Sequence, residues 1–228
     1  MGQTLPQRLH LLCYSVDQGK FEAVNLQGLG QLLRAGALAE LTLEGLLTAD
    51  RGRVLRHAAE PPGDHFLAEV WRDVPEEPTH WLRIVHHKAA TAEQPVRDQL
   101  AASGAVTLPR RRGPSPLASH HVTVNDPQQV LALRETVRET VVAGLDPAAL
   151  PADALAMAVL PVECERTSVF TRRELREHRL TLRAFAERLD ELVPGLRRAL
   201  RDSFLLSRHA GGVGGVGGAG HAGGVRGA

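Results

Sequence analysis

The residues best suited to chemistry in this chain are cations, and they are unevenly placed. Between Arg83 and Arg112 lie Arg83, Lys88, Arg97, Arg110, Arg111 and Arg112 against Glu93 and Asp98, a net +4 within 228 residues whose total is +1. That balance excludes a uniformly cationic coat but permits a local patch, and a local patch suits contact with phosphate groups. The Arg110-Arg111-Arg112 triplet runs into Gly113-Pro114-Ser115-Pro116. This is turn chemistry, which puts the triplet on an exposed, irregular tip where either plain solvation or a phosphate contact is expected. Arg34 is the other cation out of place, because it interrupts a stretch that is otherwise almost wholly apolar. A guanidinium there needs a partner. A phosphate would supply bidentate, charge-assisted bonds, and an acidic neighbour such as Glu40, or one elsewhere in the fold, would supply an ion pair.

Other chemistry is sought without result. The sequence holds no nucleophile elbow, HExxH, P-loop or paired CxxC, and Gly28-Leu29-Gly30 has Leu33 where a dinucleotide fingerprint needs its third glycine. His86-His87 and His120-His121 are adjacent pairs whose members point in different directions, and His10 and Cys13, one turn apart, lack a third ligand. No catalytic residue, metal or cofactor is therefore expected, and the chain does not read as an enzyme. Cys13 and Cys164 are too few for a disulfide framework. The opening MGQTLPQRLHLLCYSV lacks the basic leader and apolar core of a signal peptide, and no apolar run reaches the roughly 18 residues of a spanning helix. The expectation is a cytoplasmic protein whose membrane association, if it has any, is peripheral.

The elements that must position these residues read as mostly α. Pro6 to Tyr14 carries Leu9, Leu11 and Leu12 as a short amphipathic helix, closed by turn residues Asp17 to Gly19. From Leu26 to Leu43 the apolar positions cover nearly the whole helix circumference, which places that helix at the centre, with Gly45 as its cap. Leu46–Thr48 and Arg53–Leu55 flank Asp50-Arg51-Gly52 as a small hairpin. Asp64, Thr79, Thr91 and Asp126 open four further helices, and Trp71 and Trp81 belong to their apolar faces. Ala105–Leu108 and His121–Val124 form short strands around the basic loop. The remainder to about Arg208 is helical with breaks at Pro161 and Pro194, and Arg173–Glu177 and Arg183–Glu187 mark solvated faces at i, i+4. Residues 209–228, rich in glycine, are expected to form a disordered tail behind a single domain of residues 1–208.

The ordered set GLGQLLRAGALAELTLEGLL, a hairpin, PPGDHFLAEV, VRDQLAASGAV and RETVRETVVAGLDP, running from about Leu5 to Leu192, resembles the Golgi phosphoprotein 3 family, including its shorter bacterial members. The resemblance implies a mostly α single domain, a central helical bundle surrounded by amphipathic helices with one or two small β-hairpins. It also implies a peripheral membrane protein that binds phosphatidylinositol 4-phosphate and, in eukaryotes, adapts Golgi glycosyltransferases. Carried over by position, Arg34 matches an arginine of the family's phosphoinositide pocket. The pocket tryptophan falls near Asn25, two further pocket arginines fall near Ala90 and Glu93, and the apolar membrane-engaging tip corresponds to PRRRGPSPLAS. Lys88 and Arg97 lie close enough in sequence to compensate.

The resulting expectation is a protein that binds anionic phospholipid, phosphoinositide among the candidates, at a membrane surface. Arg34, Lys88 and Arg97 would take the headgroup, and Arg110, Arg111 and Arg112 would form a basic loop docking by charge. Two alternatives stay open. Helix, strand, basic loop, strand is also the layout of a winged helix, although the preceding helix offers only Gln94, Arg97, Asp98 and Gln99 to read bases, so a nucleic-acid partner is not favoured. The other is a scaffold for a protein partner that has lost lipid binding.

Overall fold

A computed structural model describes residues 2–21, 26–50, 52–57, 60–108, 122–165 and 168–212. Its centre is α2 (Leu29–Leu43), buried on every side by Leu29, Leu32, Leu33, Ala35, Ala37, Leu38, Ala39 and Leu41. An all-round apolar helix has no face to give to water, so other elements must enclose it. Those elements are α1 (Leu5–Leu12), α3 (His65–Asp73), α4 (Trp81–His86), α7 (Ala152–Glu163) and α10 (Leu196–Gly212). Gly45 ends α2 as expected. With φ +76 it lets its own N–H reach Thr42 O and that of Leu46 reach Leu41 O, at 3.0 and 2.9 Å, the paired bonds of a Schellman cap.

The outer layer consists of α5 (Glu93–Ala102), α6 (Pro127–Val142), α8 (Arg172–Glu177) and α9 (Arg179–Leu192). Two of the expected caps form through their side chains: Asp64 accepts from Leu67 N at 2.9 Å, and Asp126 from Gln128 N and Gln129 N at 3.0 and 3.2 Å. Two openings differ. His80 rather than Thr79 precedes α4, and α5 starts at Glu93 after a 3-10 turn at Ala89–Thr91 that already uses Thr91. Proline also breaks less than expected at 161, because Pro161 lies inside the last turns of α7. The chain does stop at Pro194, between α9 and α10, whose carbonyl accepts from Trp81 Nε1 at 2.9 Å.

Three small antiparallel sheets decorate the helices. β1 (Tyr14–Ser15) pairs with β2 (Lys20–Phe21), β3 (Leu47–Asp50) with β4 (Arg53–Arg56) and then β5 (Thr79–His80), and β6 (Val106–Thr107) with β7 (Thr123–Val124). Only the second and third correspond to expected strands. Both tryptophans are in the core, Trp71 beneath the Arg56 guanidinium at 4.4 Å. Both cysteines are buried and neither is in a disulfide among the described residues, and Arg173–Glu177 and Arg183–Glu187 pair at 2.7 and 2.8 Å on the surface. The last helix continues through Gly212, while residues 213–228 of the expected tail lie outside the described residues.

One junction between α1 and α2 is sensitive to pH. Glu40 accepts the otherwise orphan N–H of Leu5, at the start of α1, at 2.7 Å. Burial, with Glu44 and Asp64 nearby, outweighs that bond and Arg8 and raises the Glu40 carboxyl from 4.5 to about 7. The folded protein therefore holds a proton that the unfolded chain releases between those values, and stability falls as pH rises through that window. Glu40→Gln keeps an acceptor for Leu5 and removes the titration. We expect the variant to match wild type near pH 5 and to exceed it by about 1–2 kcal/mol at pH 8, the full shift being reduced because Glu40 is only partly buried. Urea denaturation at the two pH values measures this, and an unchanged pH slope would assign the effect to another group.

Candidate functional site

The first turn of α2 and the segment after α4 close on each other more tightly than side chains allow. A Cβ at Gly30 would lie 1.7 Å from Ala89 O, so glycine is what lets the two backbones touch. Around that contact is a cavity of about 470 Å³ lined by Leu26, Gly28, Gln31, His86, Lys88, Ala90, Glu93 and Ser207 among others. Gly28, at φ +75, turns the chain into α2 on one side. Lys88, at φ +50, turns it out of α4 on the other, an unusual conformation for a residue with a Cβ. Ala90 and Glu93, near which the family resemblance places two pocket arginines, both line this cavity.

Behind Lys88 sits a carboxylate that several cations share. Asp73, the last residue of α3, is reached by Lys88 Nζ at 2.8 Å, by Arg34 Nη1 at 3.0 Å and by His87 Nε2 at 3.6 Å, and Glu69 lies 3.9 Å from the same ammonium. Arg34 is only 1% exposed. Its Nε donates to Ile84 O at 2.9 Å, while its buried Nη2 has no hydrogen-bond partner among the described residues. Burial lowers the guanidinium's pKa and Asp73 opposes that shift, so the pair holds its charge in the interior. The ion-pair alternative for Arg34 is thus the geometry observed. Its acid is Asp73, not Glu40, which is occupied by Leu5.

Arg34 and Lys88 are brought together, and Arg97 is not. On α5, Arg97 lies 3.5 Å from Glu93 at i, i+4 and is mostly buried beside Val96 and Leu100. Complete burial of His10, with the positive charge of Arg97 as the lesser cause, pushes that imidazole down to about 3 and keeps it neutral. His10 packs edge-on against Phe21 at 4.7 Å, and neither ring nitrogen has a hydrogen-bond partner among the described residues, Glu93 Oε1 lying 4.0 Å from Nε2. His86 and His87 diverge as adjacent residues should, His86 to Ser203 Oγ at 3.0 Å and His87 toward Asp73. No group of three possible metal ligands occurs among the described residues.

Arg110, Arg111 and Arg112, like Asn25 and the pair His120-His121, lie outside the described residues. The strands bracketing that loop pair as Val106↔Val124 and Thr107↔Thr123. In the helix before it, the side chain of Gln99 is bound to Asp64 at 2.7 Å and Arg97 faces Glu93, which takes two of the four candidate base readers. Asp73 and Glu69 were the residues that sequence reasoning missed. Their signal was the i, i+4 acidic pair on α3, two negative charges with only Arg72 as a cation on the same helix.

A family model described as Golgi phosphoprotein 3 (GPP34) matches residues 5–203. The chain belongs to the Golgi phosphoprotein 3 family. No individual curated protein matches it. Among the described residues, no helix is long and apolar enough to cross a membrane.

Proposed function

We propose that this protein is a peripheral membrane protein that binds anionic phospholipid headgroups weakly. Lys88 provides the headgroup cation at the cavity, and Arg110, Arg111 and Arg112 add charge from the loop. The observation that carries the reading is the cavity at the Gly30–Ala89 contact, because it combines Lys88, Gln31, His86 and Ser207 as donors with Ala90 and Glu93, near which the resemblance places two pocket arginines. Arg34 acts one layer behind. It offsets part of the charge of Asp73, so that Lys88, itself half-exposed, can turn from that carboxylate to a phosphate. With Ala90 and Glu93 where the family has arginines, affinity rests on few cations, and phosphatidylinositol 4-phosphate is one candidate headgroup among the anionic lipids.

Vesicle flotation tests this. Wild type is expected to float with anionic vesicles and not with neutral ones, and to lose about tenfold or more of its binding between low and several-fold higher salt. Lys88→Asn, which tolerates the left-handed backbone, should remove any preference for phosphatidylinositol 4-phosphate over other anionic lipid. Replacing Arg110, Arg111 and Arg112 by serine should lower binding to all anionic vesicles alike. Failure to float under any of these conditions would overturn the proposal and favour a scaffold for a protein partner.

A further inference from the structure

The helix that brings Ser207 to the cavity carries, on its other side, an apolar feature that headgroup binding does not use. Of the large apolar side chains that are exposed among the described residues, Leu205 and Leu206 are consecutive, 39% and 53% exposed, on α10. Their helix turns a buried face inward through Leu200, Ser203 and Phe204, and Ser207, the next residue, lines the cavity together with Leu26. At 100° per residue, Leu205 therefore lies near the middle of the outward arc and Leu206 at one edge of it, with the half-exposed Asp202 between them. Arg198, 86% exposed, shares that arc, with Arg201 and Arg208 at its edge.

We propose that the outer face of α10 lies against the surface of an anionic bilayer, with Leu205 and Leu206 entering the acyl boundary and Arg198, Arg201 and Arg208 reaching lipid phosphates. This rests on the lipid-binding reading above and assigns it a docking face. The occupant is chosen by charge. α10 carries Arg197, Arg198, Arg201 and Arg208 against Asp202 alone, and an amphipathic helix with apolar residues framed by arginine matches an interfacial position. Arg197 is held by Glu163 and Asp190 at 2.9 and 2.5 Å and stays with the protein. Arg198 meets Asp202 only at 3.8 Å, and Arg208 makes an exposed pair with Glu165 that can be exchanged for phosphate with little loss, while Arg201 keeps its 2.6 Å bond from Nε to the nearly buried Glu163 and offers its remaining N–H groups.

The test places an environment-sensitive fluorophore at Leu206→Cys in the full chain, with Leu180→Cys on α9, 71% exposed, as the comparison site. Cys13 and Cys164 are fully buried, so labelling is confined to the added thiol. Both labelled proteins are mixed with anionic vesicles at low salt, with and without a quencher carried on the acyl chains, and flotation is run in parallel. We expect a blue shift and acyl-chain quenching at 206 and neither at 180. We also expect Leu205→Ser/Leu206→Ser to bind about tenfold more weakly with an unchanged thermal midpoint. Flotation without a shift at 206, or with a shift at 180 instead, would overturn this docking face while leaving lipid binding intact. Absence of flotation would overturn both. A shift at 206 that depends on protein concentration without vesicles would assign the face to a second copy of the chain.

Discussion

Asp73→Asn should be among the most damaging single substitutions in this protein, costing about 3–5 kcal/mol, because it preserves shape while stranding a buried charge. Arg34 is 1% exposed and Asp73 is its only carboxylate partner among the described residues. Without the carboxylate, the guanidinium keeps one bond to Ile84 O and must otherwise be solvated by the core. Arg34→Met should cost less, about 1–3 kcal/mol, because methionine fills similar space and Asp73 retains Lys88 and His87. Combining the two should recover much of the loss, a coupling that a double-mutant cycle in urea measures directly. If instead Arg34 served mainly as a headgroup ligand, Asp73→Asn would leave the midpoint unmoved and tighten vesicle binding. That outcome would return Arg34 to the site and remove it from the core.

What was legible in the sequence follows the physics of each signal. The central position of α2 could be read because its leucines and alanines leave no polar face, and the caps at Asp64 and Asp126 because an N-cap bond is local. β1, β2 and β5 could not be read, since strands of two residues have no period to detect. Pro161 does not break α7: its missing N–H leaves the Met157 carbonyl without its i−4 bond, yet the helix runs on to Glu163, because the apolar packing of this helix outweighs a local penalty that the sequence shows more plainly than the packing. The site was read in part. Arg34 was recognised as needing a partner, but its acid lies 39 residues away on another helix, a distance that local spacing cannot bridge. Arg97 was assigned to the headgroup for its sign. The i, i+4 relation to Glu93 and the apolar neighbours Val96 and Leu100 were the clues that it faces inward.

Gly30→Ala carries the second large effect, and its sign opposes helix propensity. In an exposed helix the change gains about 1 kcal/mol. Here the new methyl would meet Ala89 O at 1.7 Å, its carbonyl carbon at 2.7 Å and its Cα at 3.4 Å, all of them backbone. Ala89 sits between Lys88 at φ +50 and the 3-10 turn through Thr91, so the obstacle is tied at both ends and does not swing aside as a side chain would. We expect a net cost of about 2–4 kcal/mol by thermal or urea unfolding. Gly36→Ala, on the same helix, is the internal comparison. Its methyl would meet Leu9 Cδ1 at 2.6 Å, the far end of a side chain that can change rotamer, so its cost should be about 1 kcal/mol or less. The ordering bears on function as well, since the atoms that Gly30 holds in place belong to the segment that aims Lys88. If Gly30→Ala proved as mild as Gly36→Ala, the 88–91 segment would have to yield by more than an ångström, and a cavity walled by so yielding a segment could not select one headgroup by shape. A steep cost for Gly30 alone would mean that the Gly30–Ala89 contact is rigid, so that the position of Lys88 is set by the fold before any lipid arrives.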